Sequence, residues 1–99
     1  CNAFVRDAYE IGADIAFPNH NGPSGWFQNC PPGAMALYTS DKIGPLVATT
    51  TPRVGDVVST GAHCGIVGLN GTYINASSRT HTVIVTPIPS YAHYMTYTY

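Results

Sequence analysis

Three residue types that together can activate a thiol occur in order along this chain: Cys1, His63 and Asn75. A thiol attacks well only as its thiolate, which a neighbouring histidine or a helix N-terminus favours by lowering the thiol pKa. A third polar side chain that hydrogen-bonds the far imidazole nitrogen fixes the tautomer and the orientation of the ring. The set therefore indicates a cysteine hydrolase with Cys1 as nucleophile, His63 as base and Asn75 as the residue that orients the base.

The stretch that begins with Cys1 predicts a short helix. Its apolar positions recur at the spacing of one helix face, and they are Phe4, Val5, Ala8 and Ile11. Such a helix would carry Cys1 in its first turn, where the positive end of the helix dipole favours the thiolate.

Residues 13–52 predict an irregular segment, because prolines and glycines interrupt it too often for long elements. Residues 36–40 are compatible with either a helical turn or a short strand. Trp26 and Phe27 form the one bulky cluster of the segment, and we interpret them as a wall of a substrate groove. Packing over the core is the alternative role for both side chains.

From residue 55 onward the sequence predicts strands, because short runs rich in β-branched and aromatic residues alternate with turn signals. The runs cover residues 55–59, 63–69, 71–77, 81–87 and 94–99. The predicted fold class is α+β, with the N-terminal helix that carries the nucleophile packed on an antiparallel sheet of about five strands. We expect residues 1–99 to form a single catalytic domain that lacks residues preceding Cys1.

The Asn-Gly dipeptide at residues 70–71 is a strong hairpin signal. A two-residue turn there would place Asn75 on the face opposite His63. A three-residue loop with the glycine in the left-handed conformation would pair Gly68 with Thr72 and bring His63 and Asn75 to the same face. The triad hypothesis therefore predicts the three-residue loop.

Composition argues against two classes of partner. Charged residues make up 9% of the chain and the net charge is −1, so no basic face is expected for nucleic acid or an anionic membrane. No apolar run approaches the roughly 20 residues that a membrane-spanning helix needs. We expect neither partner, and the chemistry inferred for Cys1 requires no cofactor.

Four short motifs carry a family resemblance. They are CNAFV at residues 1–5, RVGDVV at 53–58, HCGIV at 63–67 and YINAS at 73–77. In order and spacing they resemble the NlpC/P60 family of cell-wall cysteine peptidases, a branch of the papain-like fold. The usual Ser-Gly after the nucleophile is replaced by Asn2-Ala3, and the third polar residue is Asn where the family more often has His.

The resemblance implies a peptidoglycan amidase or endopeptidase that acts on stem peptides. Cys1 would be the nucleophile, His63 the general base and then acid, and Asn75 the orienting residue. Substrate-binding side chains would include Trp26, Phe27 and Tyr73. Such an enzyme would be secreted or periplasmic, as an antibacterial effector or lysin-type domain, and an immunity or inhibitor protein would be its natural partner.

Two other functions are compatible with the sequence. The same triad would serve a papain-like toxin that cleaves or deamidates a host protein. A non-enzymatic β-rich binding module would instead have an unreactive Cys1 and use tyrosines of the C-terminal stretch for contact. These tyrosines are Tyr91, Tyr94, Tyr97 and Tyr99.

Other cysteines and histidines of the chain could compete with the triad residues. His81 is the rival to Asn75 as third member. A zinc site built from Cys30, His63, Cys64 and His81 is disfavoured, because zinc ligands usually come in tight sequence pairs and neighbours in a strand point to opposite faces. We therefore expect no metal site. Cys64 is expected in the core, and a Cys30–Cys64 disulfide stays open.

Overall fold

The computed structural model describes residues 4–5, 8–9, 32–43, 46–77 and 80–97. Within these ranges helix α1 covers Pro32–Thr39, residues 4–5 and 8–9 also have helical backbone, and seven strands form a single antiparallel sheet. The strands are β1 Lys42–Ile43, β2 Leu46–Thr49, β3 Val57–Ser59, β4 Cys64–Val67, β5 Thr72–Ser77, β6 Thr82–Pro87 and β7 His93–Tyr97. No helix in these ranges is both long enough and apolar enough to cross a bilayer.

The predicted fold class is wrong. The described residues are mostly antiparallel sheet with little helix, rather than an N-terminal helix packed on about five strands. Strands β3 to β6 lie in stretches that predicted strands and β7 overlaps the last such stretch, but β1 and β2 arise from the segment predicted to be irregular. Leu46–Thr49 is a short apolar and β-branched run that pairs with β7 along its whole length, so cross-strand pairing outweighs the nearby turn residues.

Strand β7 lies inside the sheet although it is the last strand in sequence. The strand order is β1-β2-β7-β3-β4-β5-β6, and Met95 pairs with Ala48 on one side and with Val57 on the other. The last strand therefore joins β1 and β2 to the four strands β3 to β6.

Each face of the sheet has its own buried cluster. On one face the fully buried Leu46, Val57, Cys64 and Met95 pack with Leu37 of α1 and with Val5 and Tyr9. The Tyr9 hydroxyl donates a 2.6 Å hydrogen bond to the Gly55 carbonyl. On the other face Val58, Val67 and Tyr73 are buried together. The sheet thus separates a larger apolar core from a smaller one, and the candidate site lies on the side of the smaller one.

A buried carboxylate, Asp56, ties the turn before β3 to the central strand. The backbone N–H of Arg53 donates to Oδ2 at 2.8 Å, and the Thr96 hydroxyl donates to Oδ1 at 2.8 Å. Asp56 is thereby paired on both oxygens, as a buried charge must be. Asp56 thereby holds β3 in register with β7. The motif at residues 53–58 did not predict this role.

Candidate active site

The backbone at His63 is held by the connection between β3 and β4. The His63 carbonyl accepts a 2.8 Å hydrogen bond from the Thr60 N–H, and the hydroxyls of Thr60 and Ser59 also donate to it, at 3.2 and 3.3 Å. Gly61 takes a φ of 92°, which closes this connection. His63 is therefore presented immediately before β4 begins at Cys64.

The hairpin between β4 and β5 has the three-residue loop that the triad hypothesis predicts. Val67 pairs with Tyr73, and the Gly68 N–H donates to the Thr72 carbonyl at 2.8 Å. Gly71 has a φ of 71°, and Asn70 is also left-handed with a φ of 57°. This register confirms the prediction that places Asn75 on the same face as His63.

The side chains of His63 and Asn75 meet directly. His63 Nε2 lies 2.8 Å from Asn75 Oδ1. Asn75 is only 2% exposed, and its Nδ2 donates to the Tyr73 carbonyl at 3.2 Å and to Thr86 Oγ1 at 3.0 Å. Rotating the amide by half a turn would set Oδ1 against the Tyr73 carbonyl oxygen, two acceptors without a proton between them. The network therefore fixes Oδ1 towards His63.

This contact assigns the tautomer of the His63 ring. Because Asn75 Oδ1 can only accept, Nε2 of His63 must carry the proton and donate it. In the neutral ring the lone pair then lies on Nδ1, which becomes the nitrogen that can accept a proton. This geometry is the one that a general base requires, with one defined reactive nitrogen and an amide oxygen placed to accept from the other nitrogen.

Position 65 of β4, beside the His63–Asn75 pair, has no room for a side chain. A Cβ atom built on Gly65 would collide with the Ile74 carbonyl oxygen and would lie 2.8 Å from Tyr73 Cδ2 and 3.0 Å from Asn75 Cβ. Glycine at position 65 therefore allows β4 and β5 to approach closely at the site.

Tyr73 packs against the base. Its ring centroid lies 6.3 Å from that of His63, at an interplanar angle of 66°, which is an edge-to-face arrangement. Tyr73 is 7% exposed. The prediction made Tyr73 a substrate-binding residue, but this burial favours a role in holding the imidazole ring.

The remaining predicted site residues lie outside the described part of the chain. These are Cys1, Trp26, Phe27 and, for the disulfide question, Cys30. The structure thus brings together two of the three predicted triad members.

His81 and Cys64 are excluded from the roles that competed with the triad. His81 is exposed and left-handed with a φ of 56°, and the acceptor for His63 is Asn75. Cys64 is buried in the core, as predicted, its thiol is free, and burial raises its pKa to about 12. A thiol in this state is a poor nucleophile. Among the described residues, no group of three His, Cys, Asp or Glu side chains could hold a metal ion.

Thr86 is the site residue that sequence reasoning missed. Strand β6 pairs Thr86 with Tyr73 and Ile84 with Asn75, so Thr86 is the diagonal neighbour of Asn75 on the same face. The alternation of threonine and aliphatic residues in β6 indicates a strand, but only the β5–β6 register could have shown which threonine meets the amide.

Comparison of the chain with family models, curated proteins and solved structures found no match. What can be inferred about function therefore rests on the geometry of His63 and Asn75 and on the motifs of the sequence.

Proposed function

We propose that this chain is a cysteine hydrolase that cleaves amide bonds, with Cys1 as nucleophile and the His63–Asn75 pair as its base. The observation that carries the proposal is the 2.8 Å hydrogen bond from His63 Nε2 to the buried Asn75. A histidine with only a structural role does not need an acceptor such as Asn75, whose amide is held in one orientation by two further hydrogen bonds. A general base does need one, because its reactive nitrogen must be fixed before the substrate arrives.

The reaction follows from the tautomer. Nδ1 of His63 takes the proton from the Cys1 thiol, and the thiolate attacks the carbonyl carbon of the substrate amide. As the tetrahedral intermediate collapses, the C–N bond breaks and the His63 imidazolium gives its proton to the leaving amine. Water then attacks the thioester while Nδ1 accepts its proton, and release of the carboxylic acid restores the thiol. Asn75 Oδ1 accepts the Nε2–H bond throughout and stabilises the imidazolium.

The proposed substrate is the stem peptide of peptidoglycan. The support is the resemblance of the motifs at residues 1–5, 53–58, 63–67 and 73–77 to those of NlpC/P60 peptidases. The proposal concerns the activity and the triad, since the fold class expected from the resemblance is wrong for the described residues. An enzyme of this kind would act outside the cytoplasm and could be paired with an immunity or inhibitor protein.

The test is the rate at which Cys1 is alkylated by iodoacetamide as a function of pH, with the labelled cysteine read by mass spectrometry. We expect Cys1 to be labelled fast well below about pH 8 and this rapid phase to disappear in His63→Ala. In Asn75→Ala the ring loses its fixed tautomer, so the phase should be strongly reduced. His81→Ala, which removes an exposed histidine, is the matched control and should leave the rate unchanged.

Cys64 provides an internal reference in the same experiment, because its buried thiol should stay unlabelled in the folded protein. The hydrolase proposal fails if Cys1 titrates as an ordinary thiol, with a pKa of about 8.5, in both the parent protein and the His63→Ala variant. If Cys1 is activated but purified peptidoglycan is not digested, the proposed substrate is wrong while the triad stands.

A further inference from the structure

Strand β6 has properties that sheet edges usually avoid. It is the last strand in the sheet order, and β5 is its one neighbour among the described strands. Natural edge strands are commonly protected by charged residues, bulges or a covering element. Residues 80–91 contain no Asp, Glu, Lys or Arg, and residues 82–86 read Thr-Val-Ile-Val-Thr, the same in both directions.

The outward backbone N–H groups of β6 belong to its two valines, and Pro87 at the end of the strand adds only an outward carbonyl. The Ile88 N–H donates to the Gly71 carbonyl at 2.9 Å, which identifies Ile88 and Gly71 as a hydrogen-bonded pair. Because hydrogen-bonded and free residues alternate along an antiparallel strand, Ile84 and Thr86 also bond to β5. Val83 and Val85 therefore direct their N–H and C=O groups outward.

The side chains of the same two valines are exposed on the face of the larger core. Val83 is 56% and Val85 is 62% exposed, and Val85 pairs with Ile74 on β5. Val85 also lines an apolar groove of about 370 Å³, together with Val54, Ile66, Leu69 and Ile74. Backbone donors, backbone acceptors and apolar side chains thus coincide on one edge.

We propose that a second copy of this chain pairs with this edge, strand β6 against strand β6, in antiparallel orientation about a two-fold axis at Ile84. Each Val83 would then form a hydrogen-bonded pair with Val85 of the other copy, and Thr82 would lie opposite Thr86. The palindromic sequence makes the pairing identical in both directions, as an isologous interface requires. This inference is independent of the proposed hydrolase activity.

The register follows from the two ends of the strand. Moving the axis to Val85 would set Pro87 opposite Val83, and Pro87 has no N–H to donate. Moving it to Val83 would set Val85 opposite His81, whose left-handed backbone (φ 56°) no longer continues the strand. Only the axis at Ile84 uses all the outward N–H and C=O groups of both valines. Because no charged residue lies in β6, two copies meet without like charges opposite each other.

Sedimentation equilibrium tests the proposal on the full chain, since a dimer has twice the 10.5 kDa of the monomer. We expect a concentration-dependent dimer for the parent. In Val85→Lys, two charges enter the interface and the dimer dissociation constant should rise roughly a hundredfold or more. The matched control is Met35→Lys, which introduces the same charge at an apolar residue that is 49% exposed but lies on α1, outside β6 and outside the groove, and it should dimerise like the parent.

A disulfide scan tests the register even if a lysine variant folds poorly. Opposed residues of a non-hydrogen-bonded antiparallel pair have Cα atoms about 4.5 Å apart, within disulfide range. Ile84→Cys should therefore cross-link two chains on mild oxidation, whereas Thr82→Cys, displaced from the axis, should not. Peptide mapping identifies the linkage. A parent that stays monomeric at millimolar concentration, a dimer that survives Val85→Lys, or equal cross-linking of both cysteine variants would each overturn the proposal.

Discussion

At the scale of single residues, Asn75 shows how one buried amide determines what a histidine can do. The sequence could predict the pairing with His63, because strand periodicity and one hairpin loop decide which side chains share a face. It could not predict the second half of the network, since the Thr86 hydroxyl reaches Asn75 Nδ2 only through the β5–β6 register. The candidate base was thus visible in sequence, whereas the contacts that lock it were not.

The buried thiol of Cys64 makes a prediction about stability against pH. Its folded-state pKa of about 12 lies above the ordinary thiol value of about 8.5. Above about pH 8.5 the unfolded chain therefore releases a proton that the folded chain keeps, so the unfolded state binds fewer protons and stability falls as pH rises. The loss should approach about 1.4 kcal/mol per pH unit and continue towards the folded-state pKa.

Urea unfolding of the parent and of Cys64→Ala, from about pH 7 to about pH 11, isolates this effect from other titrating groups. The alanine variant is expected to be less stable at neutral pH, because it leaves a small void in the core. The difference between the two proteins should then shrink as pH rises through the alkaline range. A difference that stays constant would mean that the Cys64 thiol is not desolvated in the folded state.

At the scale of elements, the close approach of β4 and β5 depends on Gly65. In Gly65→Ala the new methyl group would strike the Ile74 carbonyl and the Tyr73 ring, so the two strands must separate. We expect a loss of about 2 kcal/mol or more in the free energy of unfolding and disruption of the His63–Asn75 hydrogen bond. Urea unfolding gives the first quantity, and the proton NMR signal of His63 Nε2–H reports the second.

Gly68→Ala in the same hairpin is the control for that prediction. A Cβ atom on Gly68 would lie 3.3 Å from Thr72 Oγ1, which donates to the Leu69 carbonyl. This contact is tight but far less severe than the one at Gly65, so a small shift of the loop relieves it. Its cost should stay below about 1 kcal/mol, with the His63 signal retained. If Gly65→Ala were as mild as Gly68→Ala, the narrow gap between the strands would not be what positions the candidate base.

The strands themselves show which elements sequence patterns can predict. Strands β3 to β7 come from runs with clear turn signals between them, and the three-residue hairpin follows from the need to align His63 with Asn75. Strands β1 and β2 were missed because they lie in a proline- and glycine-rich segment that predicts no regular element. Their length is not the reason, since the predicted strand β3 has only 3 residues and β2 has 4. Strand β2 pairs with β7, which is distant in sequence, and β1 pairs with β2. Their stability therefore depends on a long-range pairing that local patterns do not contain.

At the scale of the whole molecule, β7 joins two sets of strands into one sheet, because it pairs with β2 on one side and with β3 on the other. Met95 is 1% exposed and lies where β2, β7 and β3 meet. Met95→Ala should therefore cost about 2 to 5 kcal/mol. Met35→Ala, on the exposed side of α1 at 49% exposure, makes the same chemical change and should cost less than about 0.5 kcal/mol.

Native-state hydrogen exchange of these two variants separates a local effect from a global one. Because β7 bridges β2 and β3, Met95→Ala should lower the protection of slowly exchanging amides in β2 and in β5 by the same free energy, as global unfolding requires. Met35→Ala should leave both strands at the parent value. If Met95→Ala weakened only β1 and β2 while β4 and β5 kept their protection, the candidate site would lie in a unit that folds without the central strand. Equal loss would instead mean that the geometry of His63 and Asn75 depends on β7, and hence on pairing between segments about 50 residues apart in the chain.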